Sequence, residues 1–419
     1  MMTLDKDYEC IVVGGGPAGA TTATLLAQHG RKTLLLERGR FPRHHIGESL
    51  MPQTYWTFQR LGMLPKLAAS DFPRKESVQF ISGSGAESQP YFFTDRDPGE
   101  WSKTWQVRRD TFDQMMLDNA RAHGVEVREG TGINRVVMED GRAVGVEVGD
   151  PEPGRIGADV VVDATGMAAL LSKSLNLREA EQDLKNASIY AYYKGAARDE
   201  GRNSGATVII HNVDRSGWFW FIPLPDDVAS VGVVAPPNYL CAGRGDDPAV
   251  TFEEEIAKTP GIARRLDGAE RISSVYVTSD FSYRSRQVAG DGWVLVGDAF
   301  GFLDPVYSSG VFLALKSGEF AADAIHEALA AGDTSGARLG AWGERFTSGM
   351  HLMRQLVYAF YDKNFSFGRF AKAHPECQDH IVRLLIGDVF NDEVGEVFGV
   401  LRDWVRLPEA PGSEEGVDS

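Results

Sequence analysis

Apolar and polar positions change period several times along the chain, and each change marks a different kind of element. "YECIVV" and "TLLLE", within residues 8–38, are short apolar runs of the kind that form buried strands, and the segment between them is glycine-rich and then helical in pattern. The predicted order there is strand, tight turn, helix, strand. Residues 125–165 read as further strands, "VEVREG", "AVGVEV" and "ADVVVDATG", around the turn-forming "MEDGR" and "GDPEPGR".

Residues 186–286 become β-rich in "ASIYAYYKGA", "TVIIHN", "GWFWFIPL", "ASVGVVAP" and "SSVYVTSDFSYRS". Two shorter runs in residues 76–105, "SVQFIS" and "PYFFTD", are expected to join that same sheet. In "GWFWFIPL" the period of two puts Trp218, Trp220 and Ile222 on one face and Phe219 and Phe221 on the other. Such a run is either plain core or the wall of a cavity. Beyond residue 330 apolar residues recur at helical spacing, and the closing "LPEAPGSEEGVDS" is polar enough to predict a disordered tail.

This pattern predicts an α/β fold. A discontinuous Rossmann-like domain takes residues 1–75, 106–185 and 287–330, a β-sheet substrate domain takes 76–105 and 186–286, a helical region takes 331–406, and 407–419 is the tail. At 419 residues, with 43% hydrophobic and 24% charged side chains, the chain has the make-up of an ordinary globular protein with room for an internal cavity. A formal net charge of −16 disfavours nucleic acid and anionic membranes as partners. Cys10, Cys241 and Cys377 are odd in number and far apart, which excludes a disulfide framework and offers no zinc spacing. No signal-like or membrane-length apolar segment is evident, so a reduced, cytoplasmic protein is expected. The adjacent His44 and His45 point in different directions and make a poor metal pair, so no metal is expected.

The first strand–turn–helix unit carries GxGxxG at Gly14, Gly16 and Gly19. Gly14 makes the turn, Gly16 lets backbone approach a pyrophosphate, Gly19 lets helix pack on strand, and the helix N-terminus attracts the phosphates. Glu37, closing the second strand, is placed to accept from ribose hydroxyls. A second signal comes late, in "GDGWVLVGDAFGFLDPVYSSGVFLALKSGEFAADAI", residues 290–325: an apolar strand ends at Gly297 and Asp298, and a helix starts around Ser308–Gly310.

Together these stretches resemble the FAD domain of para-hydroxybenzoate-hydroxylase-like flavoproteins. "QVRRDTFDQMML", residues 106–117, resembles that family's RxxFD helix. The resemblance implies a cofactor set of Gly14, Gly16, Ala18, Gly19, Glu37, Arg38, Arg109, Asp298 and Gly310, with Asp298 on the ribityl chain. Asp280, near a strand edge, is a weaker candidate for facing the flavin.

"GWFWFIPL" then takes on a sharper meaning, because WxWxIP at Trp218, Trp220, Ile222 and Pro223 resembles the motif of flavin-dependent halogenases. "GESL" at 47–50 and "DPVYSSGV" at 304–311 extend the likeness over nearly the whole chain. The resemblance implies that reduced FAD (FADH2) and dioxygen convert chloride or bromide to hypohalous acid. Trp218 and Trp220 would then keep the organic substrate away from the flavin. It places the catalytic lysine at Lys75 in "DFPRKESVQF", with Lys66 and Lys103 as fallbacks, and the halide at the backbone of Ser309 and Gly310.

Tyr307 stands where the tryptophan-specific members carry a glutamate, which points to phenolic or pyrrolic substrates, free or carrier-bound, whose own heteroatom stabilises a ring cation. No second dinucleotide fingerprint is present, so a separate flavin reductase is the expected electron source. A flavin monooxygenase or a geranylgeranyl-reductase-like oxidoreductase shares the FAD signals and is the alternative; a non-enzymatic flavin-binding protein is a third. "LVYAFYDKNFSF" in the helical region is expected either to lid the cavity or to be core.

Overall fold

The computed structural model describes residues 6–409 except Arg96, Asp150, Asp280 and Phe281. The reading of Asp280, of the first residues and of 410–419 in the tail therefore lies outside the described residues. Lys6–Val13 is the centre of an eight-stranded sheet and runs parallel to both Thr33–Glu37 and Gly154–Asp163. Glu126–Glu129 and Trp293–Leu295 extend it in parallel on either side. Every residue of Thr33–Glu37 is buried, which is why these strands read as unbroken apolar runs: helices or loops cover both faces. An antiparallel pair, Ile133–Glu139 and Arg142–Val148, leads into Gly154–Asp163. The first of that pair escapes the sequence pattern because its burial is irregular, with only Val136 and Val137 buried.

The second eight-stranded sheet is built mainly from residues 187–279. Ala187–Lys194, Val228–Ala235, Trp218–Pro223 and Thr207–His211 pair in that order, antiparallel throughout, and Ser77–Ile81 adds in parallel beside Thr207–His211. The expected strand "SSVYVTSDFSYRS" is divided. Tyr276–Ser279 joins this sheet, whereas Tyr283–Ser285 pairs in a separate three-stranded sheet with Arg178–Ala180 and Gly301–Phe302.

The β-rich reading of 186–286 also needs correction, because Pro237–Cys241, Pro248–Lys258 and Pro260–Arg265 are helices. Each begins at a proline, which is pre-set for the first helical turn, and Asp247 caps the second by accepting from the Ala249 N–H. These helices cover the sheet's outer face, where Phe219 and Phe221 meet Phe252 and Ile262 in a second apolar core. Trp218, Trp220 and Ile222 turn inward to the main core.

After the 22-residue helix Ser309–Ala330 the chain is helical, with Gly343–Tyr361 its longest later segment. Among the described residues no helix is long and apolar enough to cross a membrane.

Candidate active site

The nucleotide end is set by glycines. Gly14 has φ +111°, and a Cβ there would lie 2.2 Å from the Ala164 carbonyl oxygen, so only glycine fits this turn. A Cβ on Gly19 would lie 1.9 Å from the Gly14 carbonyl, the close approach that presses helix on strand. Over Gly16, by contrast, the nearest atom is Arg43 Nη2 at 3.9 Å, and no side chain caps the helix Pro17–Gln28. Free amides at an uncapped N-terminus beneath open space fit a pyrophosphate.

Glu37 is buried and accepts from the N–H groups of Gly15 and Gly39, each at 2.7 Å, so its carboxylate ties the two loops that flank the nucleotide position. Arg38 is exposed. Ala18 packs against the late turn: a Cβ on Gly297 would come within 2.8 Å of Ala18 Cβ. The early fingerprint and the Gly297–Asp298 turn, far apart in sequence, are thus in contact.

Arg109 begins the helix Arg109–Ala122 and is buried. Its guanidinium grips Asp113 through two hydrogen bonds of 2.7 and 2.9 Å, and Nη1 donates to the Ile46 carbonyl at 2.5 Å. The arginine and acid of RxxFD are therefore each other's partners, and Arg109 anchors the loop that leads into "GESL". Asp298 is half-buried; burial raises its carboxyl to about 6 despite the opposing charge of Arg109. Glu48 is buried and accepts from Tyr192 O–H at 2.6 Å, while its Oε2 has no partner. Burial raises this carboxyl too. An orphaned buried oxygen beside the cofactor loops is a further fit to a bound group.

Lys75 lies on a two-residue ribbon, Arg74–Lys75 against Thr104–Trp105, which belongs to neither large sheet. Its Nζ is buried and donates to Ser49 Oγ at 2.8 Å and to the Leu50 carbonyl at 2.9 Å. Ser49 Oγ shares a hydrogen bond of 2.7 Å with Thr207 Oγ1, so "GESL" pins the lysine to the second sheet. The motif was visible in the sequence, but this role was not.

Burial alone lowers the Lys75 amine to about 7. It lines a recess of about 310 Å3, open solvent included, with Phe93, Ile209, Tyr307 and Ser308 among the walls. Lys66 bonds Asn119 and Lys103 pairs with Glu100; neither lines this recess.

Ser308 precedes the helix Ser309–Ala330 in a left-handed conformation, φ +58°, and no side chain caps that helix. Ser309 is buried and Gly310 half-buried; a Cβ on Gly310 would strike the Phe302 ring at 2.8 Å. Ser308, immediately before the helix, lines the same recess as Lys75.

The two tryptophans form the inner surface of the second sheet. Trp218 is 2% and Trp220 6% exposed, with ring centroids 6.3 Å apart. Trp218 Nε1 donates to Tyr361 Oη at 2.9 Å, and Tyr361 donates to Asp304 Oδ2 at 2.9 Å. Asn186 donates to the same carboxylate oxygen at 3.2 Å. Trp220 Nε1 donates to Ser230 Oγ at 3.1 Å. Gly232 makes room for Trp220, since a Cβ there would lie 2.2 Å from the indole.

The aromatic surface continues through Tyr190, 5.8 Å from Trp220, to Tyr276 and then to His44, which stacks on Tyr276 at 4.5 Å. His44 is on an exposed loop, and among the described residues no group of three or more His, Cys, Asp or Glu side chains is placed to hold a metal. In the helical region Phe360 meets Trp218 edge-on and Tyr361 accepts from its indole, so this part of "LVYAFYDKNFSF" packs as core against the tryptophans.

Comparison with known proteins agrees with this arrangement. The tryptophan halogenase family model matches residues 94–367, and the FAD-dependent oxidoreductase model matches residues 9–175. The chain is 34% identical to a 1H-pyrrole-2-carbonyl-[peptidyl-carrier protein] brominase of Pseudoalteromonas luteoviolacea, over 93% of this chain and 94% of that protein. It is 31% identical to the corresponding chlorinase of Pseudomonas fluorescens, over 97% and 95%. The solved structure of the flavin-dependent brominase Bmp2 superposes with a TM-score of 0.85 at 30% identity, covering 95% of this chain and 98% of that one. These matches favour the halogenase reading over a monooxygenase or a reductase. On these matches, with the glycine turn, the buried lysine and the WxWxIP strand in place, the chain belongs to the flavin-dependent halogenase family and is an enzyme of that class.

Proposed function

We propose that this halogenase chlorinates or brominates a pyrrole ring presented as a thioester on a carrier protein, drawing reduced FAD from a separate flavin reductase. The observation that carries the proposal is the Lys75 recess: a buried amine held by Ser49 and Leu50 lines the same space as Tyr307 and Ser308, the residue that precedes the uncapped helix Ser309–Ala330.

FAD would be held by the Gly14–Gly19 turn, Glu37 and the Gly297–Asp298 turn. Bound and reduced, it supplies with dioxygen the oxidising power that turns halide into hypohalous acid. The backbone N–H groups of Ser309 and Gly310 hold the halide, drawing on the positive end of the helix. Trp218 and Trp220, locked by their indole hydrogen bonds, exclude water and keep the organic ring out of the flavin compartment. At Lys75, two N–H bonds of the ammonium are spent on Ser49 and Leu50, and the third donates to the oxygen of hypohalous acid, which aims the electrophilic halogen at the ring. Tyr307 beside Ser308 offers no carboxylate to stabilise a ring cation, and a pyrrole stabilises that cation through its own nitrogen. The pyrrolyl-carrier relatives support the same substrate class.

The test is product mass spectrometry. The protein is supplied with FAD, an unrelated flavin reductase, NADH, oxygen and chloride or bromide, against pyrrole-2-carbonyl carrier protein and a panel of free pyrroles and phenols. The expected result is a halide-dependent mass gain with the matching isotope pattern on the carrier-bound pyrrole, absent in Lys75→Ala. Halogenation of free phenols alone would overturn the substrate assignment, and halide-independent oxygen insertion would overturn the mechanism.

A further inference from the structure

A second recess, about 280 Å3 with open solvent included, lies beside Trp218 at the edge of the tryptophan face, where His211 pairs with Trp218 across the strands. Its floor is His211, Gly217, Trp218 and Phe360, and its rim carries Arg215 and Lys363. Both cations are exposed, and among the described residues no carboxylate pairs with either, although the chain as a whole carries 59 acids against 43 Lys and Arg. Arg215 sits in a left-handed turn, φ +54°, and Nη1 donates to the Lys363 carbonyl at 2.9 Å, which brings the two rim segments together. The acids next to them in the chain are engaged locally: Asp214 accepts from the N–H and O–H of Ser216 at 3.0 and 2.6 Å, which with the charge of Lys363 hold its carboxyl below the usual range against the effect of burial, and Asp362 accepts from the N–H groups of Asn364 and Phe365 at 2.8 and 3.2 Å. His211, lowered to about 4 by burial and by Arg215, adds no positive charge near neutral pH.

This second recess adjoins the Lys75 recess. His211 and Ile209 are two residues apart on one strand and share a face, which sets them about 7 Å apart, and Ile209 lines the Lys75 recess. Phe360 stacks on His211 with centroids 5.2 Å apart and meets Tyr307 edge-on at 6.0 Å. Tyr307 in turn lines the Lys75 recess. One ring therefore touches the walls of both spaces.

Building on the tethered-pyrrole reading above, we propose that the Arg215–Lys363 recess is the doorway for the substrate arm. The two cations hold the phosphodiester of the carrier's phosphopantetheine, and Phe360 is the gate that swings aside to pass the pyrrolyl thioester towards Lys75. The chemistry matches: the arm is a slender, mostly uncharged amide chain with a single anion at its protein end, and the recess combines the aromatic rings of Trp218, Phe360 and Tyr361 with the exposed cations Arg215 and Lys363. Solvent-exposed contacts of this kind give modest affinity, so the phosphate is worth about tenfold in KM at low salt and little at ~1 M salt.

The experiment uses two small substrates, pyrrole-2-carbonyl thioesters of phosphopantetheine and of pantetheine without its phosphate. They are halogenated by the flavin-loaded enzyme with a soluble thioether present to report escaping hypohalous acid. The wild type is expected to show about tenfold lower KM for the phosphorylated thioester, with equal kcat. The Arg215→Ser/Lys363→Ser protein should lose that preference while keeping the kcat for the unphosphorylated one. Phe360→Trp should stop halogenation of both thioesters while thioether oxidation continues.

Equal KM values in the wild type, or a preference that survives in the double variant, would overturn the doorway. Thioether oxidation without either thioester product would overturn the doorway and the tethered substrate together but leave halide oxidation standing. A wild type that yields neither halogenated thioester nor oxidised thioether would remove the underlying reading as well.

Discussion

Replacing Lys75 by methionine keeps an unbranched side chain, one atom shorter, and removes its charge, which isolates the cost of burying an ammonium here. Burial brings the amine from its ordinary 10.5 to about 7. At ~1.4 kcal/mol per pH unit the gap corresponds to about 5 kcal/mol, an order-of-magnitude cost of carrying the charged form into the fold. The sign follows from proton counting. Below pH 7 the lysine is charged in both folded and unfolded chains and the full cost is present; between pH 7 and 10.5 the unfolded chain binds more protons, so wild-type stability rises with pH.

The advantage of Lys75→Met over the wild type is therefore greatest at or below neutral pH and shrinks by about 1.4 kcal/mol for each pH unit above it. Urea unfolding of the two proteins at several pH values between about 6 and 9 measures this directly. A stability difference that stays constant over that range would refute the reasoning, since it would mean the Nζ is solvated enough to keep its ordinary affinity for protons. The same protein should bind FAD normally and lose about a hundredfold or more in halogenation rate.

Further outcomes follow from single contacts. Gly19→Ala would drive a methyl into the Gly14 carbonyl, 1.9 Å away, and should abolish FAD uptake, read as loss of flavin absorbance after reconstitution and desalting. Gly232→Ala would put a methyl 2.2 Å from the Trp220 ring; a loss of about 1–3 kcal/mol is expected in thermal melts, together with more peroxide released per halogenated product because the wall shifts. Asp304, raised to about 6 by burial, binds its proton more tightly folded than unfolded, so it takes away stability as pH climbs from about 4 to 6, by about 3 kcal/mol in all. Asp304→Asn should flatten that part of the pH profile, and an unchanged slope would contradict it.

Much of this architecture was legible in the sequence because it rests on short-range rules. The glycine turn, the parallel strands buried on both faces and the alternation that separates Trp218, Trp220 and Ile222 from Phe219 and Phe221 are all set by residues within a few positions of each other. What escaped depends on long-range packing. The strand Ile133–Glu139 is irregular in its own pattern and owes its state to pairing with Arg142–Val148. The helices at 237–265 carried a sequence signal, three proline starts and the Asp247 cap, that was outweighed by the β-rich runs on either side. At the site, Lys75 was marked by family likeness, whereas its partners Ser49 and Leu50 and the Trp218–Tyr361–Asp304 chain join residues from distant segments that no local pattern connects.

The aromatic run that first reads as either core or cavity wall is buried core on both faces, and the wall proposed for Trp218 and Trp220 would need that packing. A barrier between an oxidant and an organic ring works only if it does not open by side-chain rotation, and in a protein that stiffness comes from close packing and satisfied polar groups. Trp218 and Trp220 have both: each indole N–H is hydrogen-bonded, Gly232 is cut away to seat one ring, and the alternate residues Phe219 and Phe221 clamp the strand from the other side against Phe252 and Ile262. A strand that is apolar on both faces would be unremarkable in the middle of a parallel sheet. In this antiparallel sheet it needs helices over the outer face to hold it, and the chain supplies them at 237–265.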